Sequence, residues 1–192
     1  MFFARKFVLI GLIAVSAFAE DYHFPAPRKN WHNYLRTTFG PFALLTTGVG
    51  AGVEQLNNSA PEWGQGVQGY GIRYGDVFGR LLVQNTIQYG AATVLREDPN
   101  YYRCECSGLF KRTGHALIST FTARRPSGKR TLAISAIVGA YGGGMISTFW
   151  YPHRYTPLGD GVRIANYGFA STFGINVATE FWPEVRRKIF KK

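Results

Sequence analysis

Two cysteines, four histidines and a handful of acids are the residues of this 192-residue chain whose types could carry chemistry. Cys104 and Cys106 are separated by one residue. In an oxidising compartment they either close a very small disulfide ring or each bond to another chain. A metal would need partners such as His115 or His153, and neither paired CxxC motifs nor HExxH spacing occurs, so no metal site is expected. His23, His32, His115 and His153 are scattered, without the Ser and Asp order of a triad, and there is no GxSxG motif. Gly64-Gln65-Gly66-Val67-Gln68-Gly69 matches GxGxxG by letter. A dinucleotide fingerprint follows a strand inside a βαβ unit, whereas residues 57–63 read as a turn, and no cofactor is expected. Glu54, Asp76, Glu97, Asp98 and Glu180 are the acids that could converge in space. Glu54 and Glu180 each end an uncharged helical stretch, where burial would make them site candidates. With 22 Lys+Arg in the chain, capping or pairing with an arginine is the favoured role for both.

The elements that must position these residues read as helices. An extended lead over residues 20–29 precedes a helical domain over 30–192. Helical periodicity predicts five helices: 30–56 with a kink or break at Gly40-Pro41, 67–96, 109–124, 131–150, and 162 to the C-terminus with a kink at Pro183. No run of alternating β-formers bounded by turn residues occurs, so no sheet is expected. The expected class is all-α, one compact bundle of about five helices whose interfaces carry stripes of small residues.

Those stripes are the most distinctive pattern. Interior glycine costs a helix about 1 kcal/mol relative to alanine and needs a compensating reason. Gly71, Gly75 and Gly79 recur every fourth residue, as do Ser135, Gly139, Gly143 and Ser147, then Ala170, Gly174 and Ala178, with a shorter pair at Gly48 and Gly52. Residues four apart share a face, so each stripe is a groove into which another helix backbone can pack. Arg73, Asp76 and Arg80 fall on the face opposite Gly71, Gly75 and Gly79. They read as an ion-paired, solvent-facing stripe with Asp76 between the two arginines.

Residues 1–19 have the pattern of a secretory signal peptide: Arg5 and Lys6, an apolar run from Phe7 to Val15, and small residues at Ala17 and Ala19 before the expected cleavage. The run is too short for a spanning helix, which needs about 20 apolar residues. The mature chain keeps every acid and loses two cations, so a net charge of +11 at pH 7 falls by two. A basic protein outside the cytoplasm is not expected to meet nucleic acid. Its field concentrates it at an anionic membrane surface or another envelope polyanion. The uncharged stretches 131–152, 37–53 and 164–179 are diluted by Gly, Ser and Thr, and the mean hydropathy is −0.09. Membrane association and a soluble bundle, each compatible with a homo-oligomer, both stay open.

The C-terminal segment is basic and aromatic. Trp182, Val185, Ile189 and Phe190 form an apolar stripe amid Arg186, Arg187, Lys188, Lys191 and Lys192. Such a segment suits a headgroup interface; the alternative is a docked helix whose cations complement the negative end of its dipole.

Four strings carry a resemblance: Trp63-Gly64-Gln65-Gly66 with Gly69-Tyr70-Gly71, Asp98-Pro99-Asn100-Tyr101-Tyr102-Arg103, Lys111-Arg112-Thr113-Gly114 with Ala116-Leu117, and Phe181-Trp182-Pro183. Over most of residues 60–190 the chain resembles a family of small exported bacterial helical proteins to which no activity is assigned. The resemblance implies export and a compact helical form; the expected location is the periplasm or envelope membrane of a bacterium. The leading expectation is a non-enzymatic envelope protein, a membrane-associated bundle with a cationic surface for anionic lipid. The alternatives are a soluble periplasmic module holding a small apolar ligand between helices, and a hydrolase acting on lipid or wall polymer. Only a convergent cluster of acids, histidines or hydroxyls in one cleft would favour the hydrolase.

Overall fold

A computed structural model describes residues 22–189; residues 1–21, with the expected signal peptide, and Phe190, Lys191 and Lys192 lie outside the described residues. The helices are α1 (Pro27–Phe39), α2 (Pro41–Leu56), α3 (Gly66–Leu95), α4 (Leu109–Phe121), α5 (Ile134–Ser147) and α6 (Val162–Ile189). The first predicted helix is thus two, α1 and α2, divided at Gly40. Gly40 is extended, and its N–H caps Arg36 O while Pro41 opens α2. A Cβ on Gly40 would lie 2.2 Å from Arg36 O, so this corner requires glycine. The extended lead ends earlier than expected, because Pro27 suits the first helical position and starts α1 there. Arg96 closes α3 in the left-handed conformation, and Glu97 N–H reaches Ala92 O before Asp98-Pro99 stops the chain.

The expectation of no sheet is corrected. Strands β1 (Thr122–Arg124) and β2 (Arg130–Leu132) pair antiparallel, with Arg124 opposite Arg130. The hairpin is only three residues per strand, and its turn around Ser127-Gly128 is what the sequence reading took for a helix end. Pro183 lies within α6, which continues past it.

Helix α3 packs most closely on α5 and also against α2 and α1; α6 joins α5 on one side and α4 on the other. The α3–α5 seam explains the stripe on α5. A Cβ on Gly139 would lie 2.8 Å from Gln88 Cβ and 2.9 Å from Gln84 O, and one on Gly143 would lie 3.1 Å from Gln84 Cα. Gly144, on another face, sits under Gly161 O and Ala165. The other stripes differ. A Cβ on Gly48 would stand 3.3 Å from Tyr70 Oη, a tight contact, and one on Gly79 would meet Trp150 at an ordinary 3.6 Å, while a Cβ on Gly52, Gly71, Gly75 or Gly174 would meet no atom within 4 Å. At those four positions the groove has no helix in it, because α2, α3 and α6 use other faces to pack.

The interior is unusual in its chemistry. The buried apolar side chains of the described residues are all alanines, among them Ala51, Ala92, Ala116 and Ala165. The largest fully buried side chains are Arg73, Glu97 and Glu180, followed by threonines and serines. Large apolar side chains lie outside instead: Leu56 is 87% exposed, Val67 91% and Phe110 90%. On α2 they form a stripe of Phe42, Leu45, Val49, Val53 and Leu56 at helical spacing.

Candidate functional site

Helix α4 aligns Arg112, His115 and Ser119 at i, i+3 and i+7, hence on one face, and that face meets Glu180 of α6. Glu180 is fully buried. Its Oε1 accepts from Tyr101 Oη at 2.5 Å and from Cys104 N–H at 2.7 Å, and lies 3.1 Å from His115 Nδ1. Arg112 Nε stands 3.6 Å from Oε2, and the same guanidinium donates to Glu180 O and, at 2.8 Å, to Glu184 Oε1. Its plane covers Phe181 at 4.3 Å. One carboxylate therefore holds α4, α6 and the 100–108 connector together. A Cys104–Cys106 disulfide closes that connector locally.

The tautomer of His115 follows from its partners. Arg130 Nη2 lies 2.9 Å from Nε2, and an arginine can only donate, so Nε2 accepts and Nδ1 carries the proton toward Glu180. Arg130 Nη1 also donates to Ser119 Oγ at 2.9 Å, and Ser119 Oγ stands 3.4 Å from Nε2. Burial and the positive charge of Arg130 lower the His115 pKa despite the opposing pull of Glu180, so the ring is neutral at pH 7. Burial opposes ionisation of Glu180, but the hydrogen bonds from Tyr101, Cys104 N–H and His115 outweigh it and lower its pKa. Tyr101 is pushed far up, by burial first and then by its bond to Glu180.

A depressed carboxylate pKa gives stability that is complete above the unfolded value near 4.5 and drains away as pH falls through the lower folded value. Thermal unfolding midpoints should therefore drop as pH is taken below about 4.5, and the drop should be shallower in Glu180→Gln, which has no proton to gain. Equal slopes for the two proteins would remove Glu180 as the source.

A second polar cluster replaces the exposed stripe expected on α3, and this is a correction. Arg73 is fully buried and Asp76 nearly so. Arg73 donates to the carbonyls of Ser59, Ala60 and Gly64 and, at 2.7 Å, to Gln55 Oε1, clamping the turn between α2 and α3, where Asn58 and Ala60 have positive φ. Asp76 accepts from Trp150 Nε1 and Tyr151 Oη, each at 2.7 Å, and pairs with Arg80 at 3.0 Å. The Asp76–Arg80 pair is the one expected from the spacing, and no Asp76–Arg73 pair forms among the described residues. Arg80 also pairs with Glu54, whose own pKa is raised by burial against the pull of Arg80. Glu54 and Glu180 are thus both arginine partners.

A third knot joins the N-terminal lead to the connector. Tyr22 and Tyr102 both donate to Asp98 Oδ2, at 2.6 and 2.8 Å, and Arg124 lies over both rings. Nearby, Glu97 Oε2 accepts from Ser135 N–H at 2.9 Å at the start of α5.

Among the described residues no three His, Cys, Asp or Glu side chains come together as metal ligands. A polar cavity of about 80 Å³ is bordered by Tyr101, Ser119, Thr120 and Asn176. An open groove of about 540 Å³ runs between α4, α5 and α6, lined by Leu117, Phe121, Ile137, Tyr141, Phe169 and Phe173.

Trp182, Arg186, Arg187 and Lys188 are all exposed at the end of α6, and the apolar Val185 and Ile189 beside them are exposed as well. The last turn is therefore not docked on the core through its apolar stripe. His115 is the histidine of consequence that sequence reading passed over. Its partner Glu180 is 65 residues away, and the available signal was the shared face of Arg112, His115 and Ser119 on α4.

The described residues form a helical bundle whose buried positions hold alanines and paired polar groups and whose surface carries many large apolar side chains beside its cations. No family model, curated protein or solved structure matches the chain.

Proposed function

We propose that the protein is a membrane-associated helical bundle of the bacterial envelope, exported by its leader and acting as a structural or binding component rather than an enzyme. The observation that carries this reading is where the side chains stand: Arg73, Glu97 and Glu180 are the largest fully buried ones, while many leucines, valines and phenylalanines are exposed. Water opposes that arrangement, since exposing large apolar side chains forfeits about 1.5–3 kcal/mol for each that could have been buried. An apolar surrounding removes the cost and favours internal pairing of the charges. Among the described residues no helix is long and apolar enough to cross a membrane. The reading is therefore of a bundle seated in the interfacial region, with the α2 stripe toward acyl chains and the cations of α6 at headgroups.

The expected result is sedimentation with membranes after cell lysis and release by detergent. Replacing Leu45, Val49 and Leu56 of α2 together by glutamine should shift the protein toward the soluble fraction without loss of helicity. Quantitative recovery of the wild-type chain in the soluble periplasmic fraction at low salt would exclude the proposal. The aromatic groove between α4, α5 and α6 favours a second reading, a module that holds a small apolar ligand. Saturable binding of a fluorescent fatty-acid analogue by the soluble form, lost in Phe169→Ala, would select it.

A further inference from the structure

We propose that the hairpin face bearing Arg124 and Arg130, together with His115 and Ser119 of α4, binds a phosphate-class oxyanion. The inference goes beyond the membrane reading and does not rest on it.

The strand register sets two arginines directly opposite each other, Arg124 on β1 and Arg130 on β2. Like charges in directly opposed positions are unfavourable in a sheet, and an antiparallel pair so short has little to offset them. The other arginines of the polar clusters find compensation: Arg80 pairs with Glu54 and Asp76, Arg112 with Glu180 and Glu184, Arg125 with Glu97, and Arg73 has a ring of carbonyls. Neither Arg124 nor Arg130 forms an ion pair among the described residues. Arg124 rests on the Tyr22 and Tyr102 rings, and Arg130 is bonded to two neutral acceptors, Ser119 Oγ and His115 Nε2.

The surroundings register this uncompensated charge. Burial and Arg124 both work against the charged form of Arg130. His115 is likewise held neutral by burial and by the two arginines, against Glu180. Neither nearby carboxylate supplies the missing counter-charge: Glu180 holds Tyr101, Cys104 N–H and His115 on Oε1 with Arg112 at Oε2, and Asp98, bridged to Arg124 through its backbone, accepts from Tyr22, Tyr102 and Asn100. What the face lacks is a multivalent anion with several acceptor oxygens.

A phosphate fits the donors present. The Arg130 fork can engage two of its oxygens, Arg124 a third, and the Ser119 hydroxyl can turn to donate. Once the anion draws Arg130 off Nε2, His115 is free to take up a proton and donate to it as well. The groups facing that imidazole are Glu180 on α6, Arg124 and Arg130 on the hairpin, Tyr101 on the connector and Ser119 on α4 itself. Free phosphate and a phosphomonoester headgroup present the same chemistry to these donors.

The test is titration of the purified full-length protein with inorganic phosphate at constant ionic strength, read from the His115 imidazole signals by NMR, with chloride as control. Saturable displacement of those signals, with a higher His115 titration midpoint in phosphate, is expected. The response should be abolished in Arg124→Gln/Arg130→Gln. Arg130→Gln alone, with its helical circular dichroism checked against wild type, should weaken it at least tenfold. Vesicles of phosphatidylcholine doped with phosphatidic acid or phosphatidylglycerol distinguish the sources. Preference for the monoester lipid, competed by inorganic phosphate, identifies a headgroup; a phosphate response without that preference identifies the free ion. A His115 signal that follows chloride as it follows phosphate, or a phosphate response unchanged in folded Arg130→Gln, would overturn the proposal. Detergent-dependent sedimentation of the same variants tests the membrane reading separately, and it should not change.

Discussion

Replacement of Glu180 by alanine is expected to lower the unfolding free energy by about 3–5 kcal/mol, the cost of breaking a buried ion pair by removing one partner. The residue is completely enclosed, and its removal leaves Tyr101 Oη, Cys104 N–H and the His115 Nδ1–H without their acceptor. Arg112 keeps only Glu184 and the carbonyl of residue 180. Because these donors come from α4 and from the connector, the variant should also loosen the connector. Amide exchange over residues 100–108 should speed up more than exchange in α3. Urea unfolding of wild type and Glu180→Ala, with His115→Ala as a partial-loss reference, checks the magnitude. A loss below about 1 kcal/mol would mean that the carboxylate contributes no more than an exposed pair.

The second large effect separates two kinds of glycine. Gly143→Leu should destabilise by at least about 1–3 kcal/mol, the usual cost of overpacking, because even its Cβ would stand 2.8 Å from Gln84 Cβ and 3.1 Å from Gln84 Cα. The obstacle is largely main chain of α3, which cannot rotate away. Gly75→Ala should act in the opposite direction. Nothing lies within 4 Å of the added methyl, and the helix gains roughly 1 kcal/mol of propensity. Thermal melts of the two variants beside wild type should bracket it. Should Gly75→Ala destabilise as Gly143→Leu does, the open face of α3 is occupied by another chain or by lipid.

The helices were legible in the sequence because periodicity and Pro/Gly punctuation are local. Gly40-Pro41 and Asp98-Pro99 mark real helix boundaries, whereas Pro126 lies in the hairpin turn, beyond the end of α4 at Phe121. The hairpin was not, since three-residue strands are too short to show alternation and Thr122 to Arg124 simply extends the helical stretch before it. Small-residue spacing told which faces could admit a neighbour but not which faces did: Gly139 and Gly143 have α3 against them, while Gly71 and Gly75 have the same spacing and nothing against them. The buried charges were misread for a related reason. Arg73 on a polar stripe looks solvent-facing, and only the fold brings the turn carbonyls of Ser59, Ala60 and Gly64 over it. The Glu180 cluster joins residues from 101 to 180, and no spacing rule reaches so far.

The alanine-and-charge interior has a calorimetric consequence. The heat-capacity increment of unfolding grows with apolar surface newly hydrated and shrinks with polar surface newly hydrated. In this chain much apolar surface already faces outward before unfolding, and what melting uncovers is alanine methyls together with many carboxylate and hydroxyl groups. In aqueous detergent-free conditions the increment per residue is accordingly small, the curve of free energy against temperature is shallow, and cold has little leverage on the fold.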